Sequence, residues 1–214
     1  MKKIAIFASG RGSNFDAIAE AIEDGRLIAQ IYCVISDQKN APVLEKAKKR
    51  GIKTAWVPFP LEGALADKRK THADLLIRQL KDQKIDWIVL AGWMRILHDD
   101  FITEFMKNGI PHIVNIHPSL LPAFPGKKSY EQAFDYGCSV TGVTVHLVTP
   151  QMDDGPICAQ ESFRIEDKDS LEQVESKGLR IEHQLYPKVL AWLFSEQWKV
   201  ISKGNQGRVC VRSS

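Results

Sequence analysis

The chain has 214 residues, 44% hydrophobic and 26% charged, and its 29 basic and 26 acidic side chains leave a net charge of +3. That is enough chain to bury a sizeable core in an ordinary globular composition. The charge is too mild for a nucleic-acid surface: no aromatic-interleaved basic stripe accompanies it, and the KAKKR run at 46–50 reads as a solvated helix face.

In chain order, MKKIAIFAS is too short an apolar run for a leader and is cut off by GRGSN, so 3–9 reads as a first strand. FDAIAEAIEDG (15–25) reads as a helix ending at Gly25, and IYCVISD (31–37) as a strand. PVLEKAKKRG (42–51) has proline at its start and glycine past its end, the usual helix asymmetry. A third strand (53–59) precedes a helix over 65–83 with Leu75, Leu76 and Leu80 at helical spacing. WIVLAG (87–92) is continuously apolar, as a strand buried on both faces should be. A short helix is expected near 99–107 and a fifth strand over 112–117.

Alternating β and α elements predict an α/β fold with a doubly wound, mostly parallel open sheet flanked by helices. Past the fifth strand the texture changes. VTGVTVHLVT (140–149) and PICAQESFRI (156–165), joined by PQMDDG, predict an antiparallel hairpin in the C-terminal part. A long helix over 171–194 follows, and the tail 204–214 reads as a frayed end or an edge strand. With no repeat or linker, the expectation is a single domain over 1–214, its N-terminal half (1–100) on the phosphate side and its C-terminal half (101–200) carrying catalysis. Cys33, Cys138, Cys158 and Cys210 form no CxxC pair or zinc spacing, and Cys33 sits in an apolar run. The expectation is a reducing, cytoplasmic compartment. No apolar stretch approaches membrane-spanning length.

Three places carry chemistry. SGRGSNF (9–15) ends the first strand in a glycine turn before a helix, whose free N–H groups and dipole form an anion site. Phe15 replaces the third glycine of a dinucleotide fingerprint, and no GK[ST] follows, so one phosphate on a small ligand fits best. Gly12, Ser13 and Asn14 are the candidate residues, with Arg11 as added charge. The alternative is a plain turn with Ser13 or Asn14 capping the helix. Second, Asn115 and His117 are two apart on a strand and face the same way. They end it at the carboxyl edge, where open α/β folds bind ligands, before a loop stiffened by Pro118, Pro122 and Pro125. Third, Asp153 and Asp154 lie in QMDDGP. They either make a turn or fold an acid back onto His117 to orient its ring. GWMRIL (92–97) follows the fourth strand, and Met94, Ile96 and Leu97 either line an apolar pocket or belong to the core. His72, His98, His112, His146 and His183 show no metal-ligand spacing, so the expectation is no metal.

Together SGRGSNF, AGWMRIL, NIHPSLLPAFPG and DDGP resemble the phosphoribosylglycinamide formyltransferase family of folate-dependent enzymes in purine synthesis, over nearly the whole chain. The resemblance implies transfer of a formyl group from 10-formyltetrahydrofolate, a co-substrate, to glycinamide ribonucleotide. It implies that Gly12, Ser13 and Asn14 hold the phosphate and Glu182 the glycinamide part, and that Asn115, His117 and Asp153 are catalytic. It places the folate against Arg69, Met94, Arg95, Ile96, Leu97, Asn115, Thr149, Pro150, Gln151, Met152 and Asp153. Leu179 departs from the polar residue some members have near the ribonucleotide. Small molecules are the only partners implied, without nucleic acid or membrane, in a monomer or homodimer. A formyltetrahydrofolate hydrolase would share the polar group but is expected to carry an extra N-terminal domain. A methionyl-tRNA formyltransferase is expected to carry an extra C-terminal one. A non-catalytic binder would keep its function without His117.

Overall fold

The computed structural model describes residues 1–203 and 207–212. The chain forms two compact units, Met1–Val114 and Asn115–Ser214.

The first unit contains β1 (Lys2–Phe7), α1 (Ser13–Glu23), β2 (Ala29–Ser36), α2 (Pro42–Lys49), β3 (Lys53–Trp56), α3 (Leu65–Leu80), β4 (Trp87–Leu90) and α4 (Asp99–Glu104). Its strands are ordered β4-β1-β2-β3, all parallel. β1 and β4 are the apolar runs: Ile4–Phe7 and Trp87–Leu90 are buried throughout, as central strands covered on both faces must be. Helices fill the crossovers, which parallel pairing requires. Two elements of this unit escaped the sequence pattern. β5 (Met106–Lys107) and β6 (Ile110–Pro111) form a two-residue antiparallel ribbon, too short to show periodicity, and it ends the expected 99–107 helix early, at Glu104.

β7 (Ile113–His117) leads into the second unit, which holds α5 (Ser129–Asp135), β8 (Val140–Leu147), β9 (Ile157–Arg164), α6 (Leu171–Phe194), β10 (Trp198–Lys203) and β11 (Gly207–Arg212). The strand order is β7-β8-β9-β11-β10, with β8 and β9 antiparallel as expected. The long helix has the predicted bounds, fixed by a capping box. The Ser170 hydroxyl accepts from the Gln173 N–H, and the Gln173 amide reaches back to the Ser170 N–H. The tail is not an edge. β11 lies between β9, parallel to it at Val209 and Ile157, and β10, antiparallel to it, so the edge strand is β10. Of the tail, residues 204–206 and 213–214 fall outside the described residues. The fold is thus the expected mostly parallel open sheet flanked by helices, with an antiparallel pair in the C-terminal part.

Cys33 is buried, and burial pushes its thiol up to about 12, which suits an inert core residue. Cys158 and Cys210, brought together by β9 and β11, are free thiols with sulfurs 3.5 Å apart. Among the described residues no helix is long and apolar enough to cross a membrane, and no group of three or more His, Cys, Asp or Glu side chains could hold a metal ion.

Candidate active site

In the first unit the glycine turn is shaped by close packing. Gly12 precedes α1 with φ 75°, the left-handed region that favours glycine. A Cβ on it would stand 2.6 Å from Val43 Cγ2, so the position admits no side chain unless the turn or α2 moves. The Val43 N–H also donates to the Gly10 carbonyl at 3.3 Å. α1 begins at Ser13 and has no side-chain cap. Ser13 and Asn14 therefore lie inside the helix and neither is its N-cap. Arg11 is exposed beside it.

The loop after β4 is tied to the same strand ends. The Ser9 N–H donates to the Gly92 carbonyl, and the Met94 N–H donates to Ser9 Oγ, both at 3.0 Å. Asp37, fully buried at the end of β2, binds this corner: Arg95 Nε and Gln38 Nε2 each donate to Oδ2 at 2.7 Å, and Ser9 donates as well. Arg95 also lies over the Phe59 ring, 4.6 Å from its centroid. Met94 and Ile96 are exposed while Leu97 is buried, so the apolar expectation divides: the first two present a surface and Leu97 joins the core. Arg69 is half-buried on α3.

Burial alone would raise the Asp37 pKa, but the Ser9, Arg95 and Gln38 donors outweigh it and hold the group below its ordinary 3.8. A carboxylate depressed in the folded state stabilises the fold above its unfolded pKa, and this contribution is lost as pH falls through the folded value. Asp37→Asn is accordingly expected to lower stability at pH 7 by about 1–3 kcal/mol. The gap to the wild type should close as pH falls below the ordinary carboxylate value of 3.8 and through the lower folded one, read from urea midpoints across the acid range. A gap independent of pH would refute the ionised-carboxylate account.

In the second unit β7 delivers Asn115 and His117 on one face, and the proline loop locks the imidazole. His117 Nε2 lies 3.0 Å from the Phe124 carbonyl oxygen and 3.1 Å from Ser129 Oγ. A carbonyl only accepts, so Nε2 carries a proton. The ring's other nitrogen, Nδ1, faces Asp153, with Oδ2 at 3.5 Å. The loop also fixes that acid, because the Gly126 N–H donates to Asp153 Oδ2 at 2.8 Å. Asp153 holds φ 54°, a conformation aspartate tolerates better than most residues. The loop is anchored in turn: the Leu121 N–H donates to Thr144 Oγ1, that hydroxyl donates to the Ser119 carbonyl, and Gln160 Nε2 donates to the Leu121 carbonyl. Rigidity from the prolines therefore serves a purpose, aiming one backbone carbonyl and one N–H at the two ionisable groups.

The structure thus brings His117 and Asp153 together, and joins them to Asn115 through His146, which the sequence pattern left unassigned. Asn115 Nδ2 lies 3.2 Å from His146 Nε2, and Asp153 Oδ1 lies 3.8 Å from the same nitrogen. Ser129 was also missed, because α5 begins inside a stretch that reads as loop. Asp154, Gln151 and Met152 are exposed, and Thr149 is half-buried beside Pro150. Glu182 is buried on α6, where the Tyr130 hydroxyl donates to Oε1 at 2.9 Å.

An amide, an imidazole and a carboxylate are thus gathered at the end of β7. Residues 2–190 match the family model described as formyl transferase. The phosphoribosylglycinamide formyltransferase of Bacillus subtilis is 38% identical over 193 residues, 90% of this chain and 95% of that protein. The Haemophilus influenzae protein of the same name is 38% identical over 192 residues, covering 90% and 87%. The crystal structure of phosphoribosylglycinamide formyltransferase from Bacillus halodurans superposes with a TM-score of 0.84 at 39% identity, covering 91% of this chain and 96% of that one. The chain belongs to the phosphoribosylglycinamide formyltransferase family, and it is a formyl-group transferase.

Proposed function

We propose that the enzyme transfers the formyl group of 10-formyltetrahydrofolate to the amino group of glycinamide ribonucleotide, within purine synthesis in the cytoplasm. The observation that carries this reading is the meeting of His117 and Asp153, distant in sequence, at 3.5 Å beside Asn115. The formyl transferase match spans both compact units, which supports one formyltransferase domain. The unit of Asn115–Ser214 would supply the transfer group, and the Gly12–Ser13–Asn14 turn the phosphate contacts.

The amine attacks the formyl carbon and a C–N bond forms, turning the carbonyl oxygen into an oxyanion. Asn115 has an amide N–H to offer it. His117, whose Nε2–H is held by the Phe124 carbonyl, has Nδ1 to offer when protonated. The 3.5 Å separation from Asp153 is longer than a hydrogen bond, which leaves that N–H available to a third atom. Removing one such donor typically costs about 10²–10³ in rate. Collapse of the intermediate breaks the bond to folate N10, which takes the proton the amine loses. Asp153, facing Nδ1, orients the imidazole through this relay, and a positioned acid or base contributes of the order of 10²–10⁴. Met94 and Ile96, both exposed after β4, are assigned to the folate in the first unit, as is Arg69 on α3; in the second unit residues 149–153 are assigned to the folate and Glu182 to the glycinamide part. The oligomer is a monomer or homodimer that meets only small molecules.

The test is a spectrophotometric assay of folate deformylation with and without glycinamide ribonucleotide. Release that requires the ribonucleotide is expected. Equal release without it would make water the acceptor and the protein a hydrolase, and no release would sink the reading.

A further inference from the structure

β8 is buried from Thr141 to Leu147, and His146 is its only ionisable side chain. Such a group needs a partner for each ring nitrogen, and it has them. Nδ1 lies 2.9 Å from the Leu147 carbonyl oxygen and Nε2 lies 3.2 Å from Asn115 Nδ2. The carbonyl can only accept, so Nδ1 bears the proton. Burial holds the imidazole below its ordinary pKa and therefore neutral, although the backbone acceptor and Asp153 act the other way. A neutral ring protonated on Nδ1 has a bare Nε2, so whatever approaches Nε2 must donate.

We infer that His146, as the Nδ1–H tautomer, is a positioning residue that fixes the amide of Asn115 with its nitrogen, not its oxygen, on the His146 side. This rests on the transfer role of Asn115 proposed above. The two ends of a primary amide are alike in size, so an unrestrained Asn115 could present either its oxygen or its nitrogen to the reacting carbonyl. With one N–H held by His146, the second N–H is directed along a fixed line and Oδ1 is turned to the opposite side. That arrangement leaves the second N–H free to donate to an oxyanion that reaches the nitrogen end of the amide.

The DDGP turn supports the same device. A Cβ on Gly155 would stand 1.6 Å from the Leu147 carbonyl oxygen and 3.5 Å from His146 Nδ1, so glycine is required for this carbonyl to keep its place. The Leu147 N–H donates to the Pro156 carbonyl at 2.9 Å, closing the turn around it. The motif therefore supplies two things: the Asp153 carboxylate, and room for the acceptor that selects the His146 tautomer.

Two measurements test this. Long-range ¹H–¹⁵N correlation on the full-length protein, with the His146 signals assigned by their loss in His146→Gln, is expected to show Nδ1 protonated and Nε2 bare at neutral pH. An Nε2–H tautomer or a doubly protonated ring would overturn the inference, whether or not the protein transfers formyl groups. The second is a double-mutant cycle on turnover. His146→Ala is expected to lower kcat by up to about 10²-fold, no more than the cost of removing an oxyanion donor, with both KM values little changed. It should cost nothing further in an Asn115→Ala background. Losses that multiply in the double variant would mean that His146 acts other than through Asn115. Should the alanine variants fail to fold, the tautomer in the unmodified protein decides the matter alone.

Discussion

His117→Ala is expected to lower kcat for formyl transfer by about 10²–10⁴, the range for loss of a positioned acid or base, while KM for either substrate changes little. The expectation follows from the ring's two hydrogen-bonding sides. Nε2–H is consumed by the Phe124 carbonyl and Ser129, so this edge holds the ring still. Nδ1, beside Asp153, is the only edge left for chemistry. An interaction made in the transition state and absent from the ground state shows in kcat and not in KM. The substitution also leaves the Phe124 carbonyl without its donor and opens a cavity at a buried position, costs of about 1–3 kcal/mol for the unpaired group alone. Thermal melting must therefore accompany the kinetics. A variant that remains folded at the assay temperature with kcat within threefold of wild type would remove His117 from the mechanism.

Much of this was legible in the sequence, for physical reasons that differ from residue to residue. β1 and β4 announced themselves because a strand buried on both faces has no polar alternation to blur it. α6 was legible end to end because its length let helical periodicity accumulate. Asn115 and His117 were legible as a pair because strand period alone fixes that they share a face. Asp153 could be read only as a choice between turn chemistry and a contact, since a contact across 36 residues leaves no local trace. His146 and Ser129 were not legible for the same reason. The signal available for His146 was a lone ionisable residue in an otherwise apolar run, VTVHLV, which says that a partner exists without saying which. α5 hides because it has seven residues and directly follows a loop ruled by prolines. The tail misled because β11 earns its place between β9 and β10 through pairing with distant strands, which composition cannot report.

The second large effect tests the phosphate role proposed for the Gly12 turn. Gly12→Ala is expected to raise KM for glycinamide ribonucleotide by about 10- to 100-fold, the loss of one or two charge-assisted hydrogen bonds, and to leave KM for the folate within about twofold. Two independent costs force the turn to move. Gly12 has φ 75°, where a Cβ is strained, and that Cβ would meet Val43 Cγ2 at 2.6 Å and Val43 Cβ at 2.7 Å. Neither is the end of a flexible chain, so the turn yields more readily than α2. The start of α1 has no side-chain cap to hold its geometry once the glycine is lost. Loss of general stability would mimic a weaker enzyme, so the decisive readout is selectivity. The wild type should prefer the phosphorylated acceptor strongly over the corresponding dephosphorylated ribonucleoside, and Gly12→Ala should narrow that preference by the same 10- to 100-fold. Equal impairment toward both acceptors would mean that the turn shapes the fold and does not hold the phosphate.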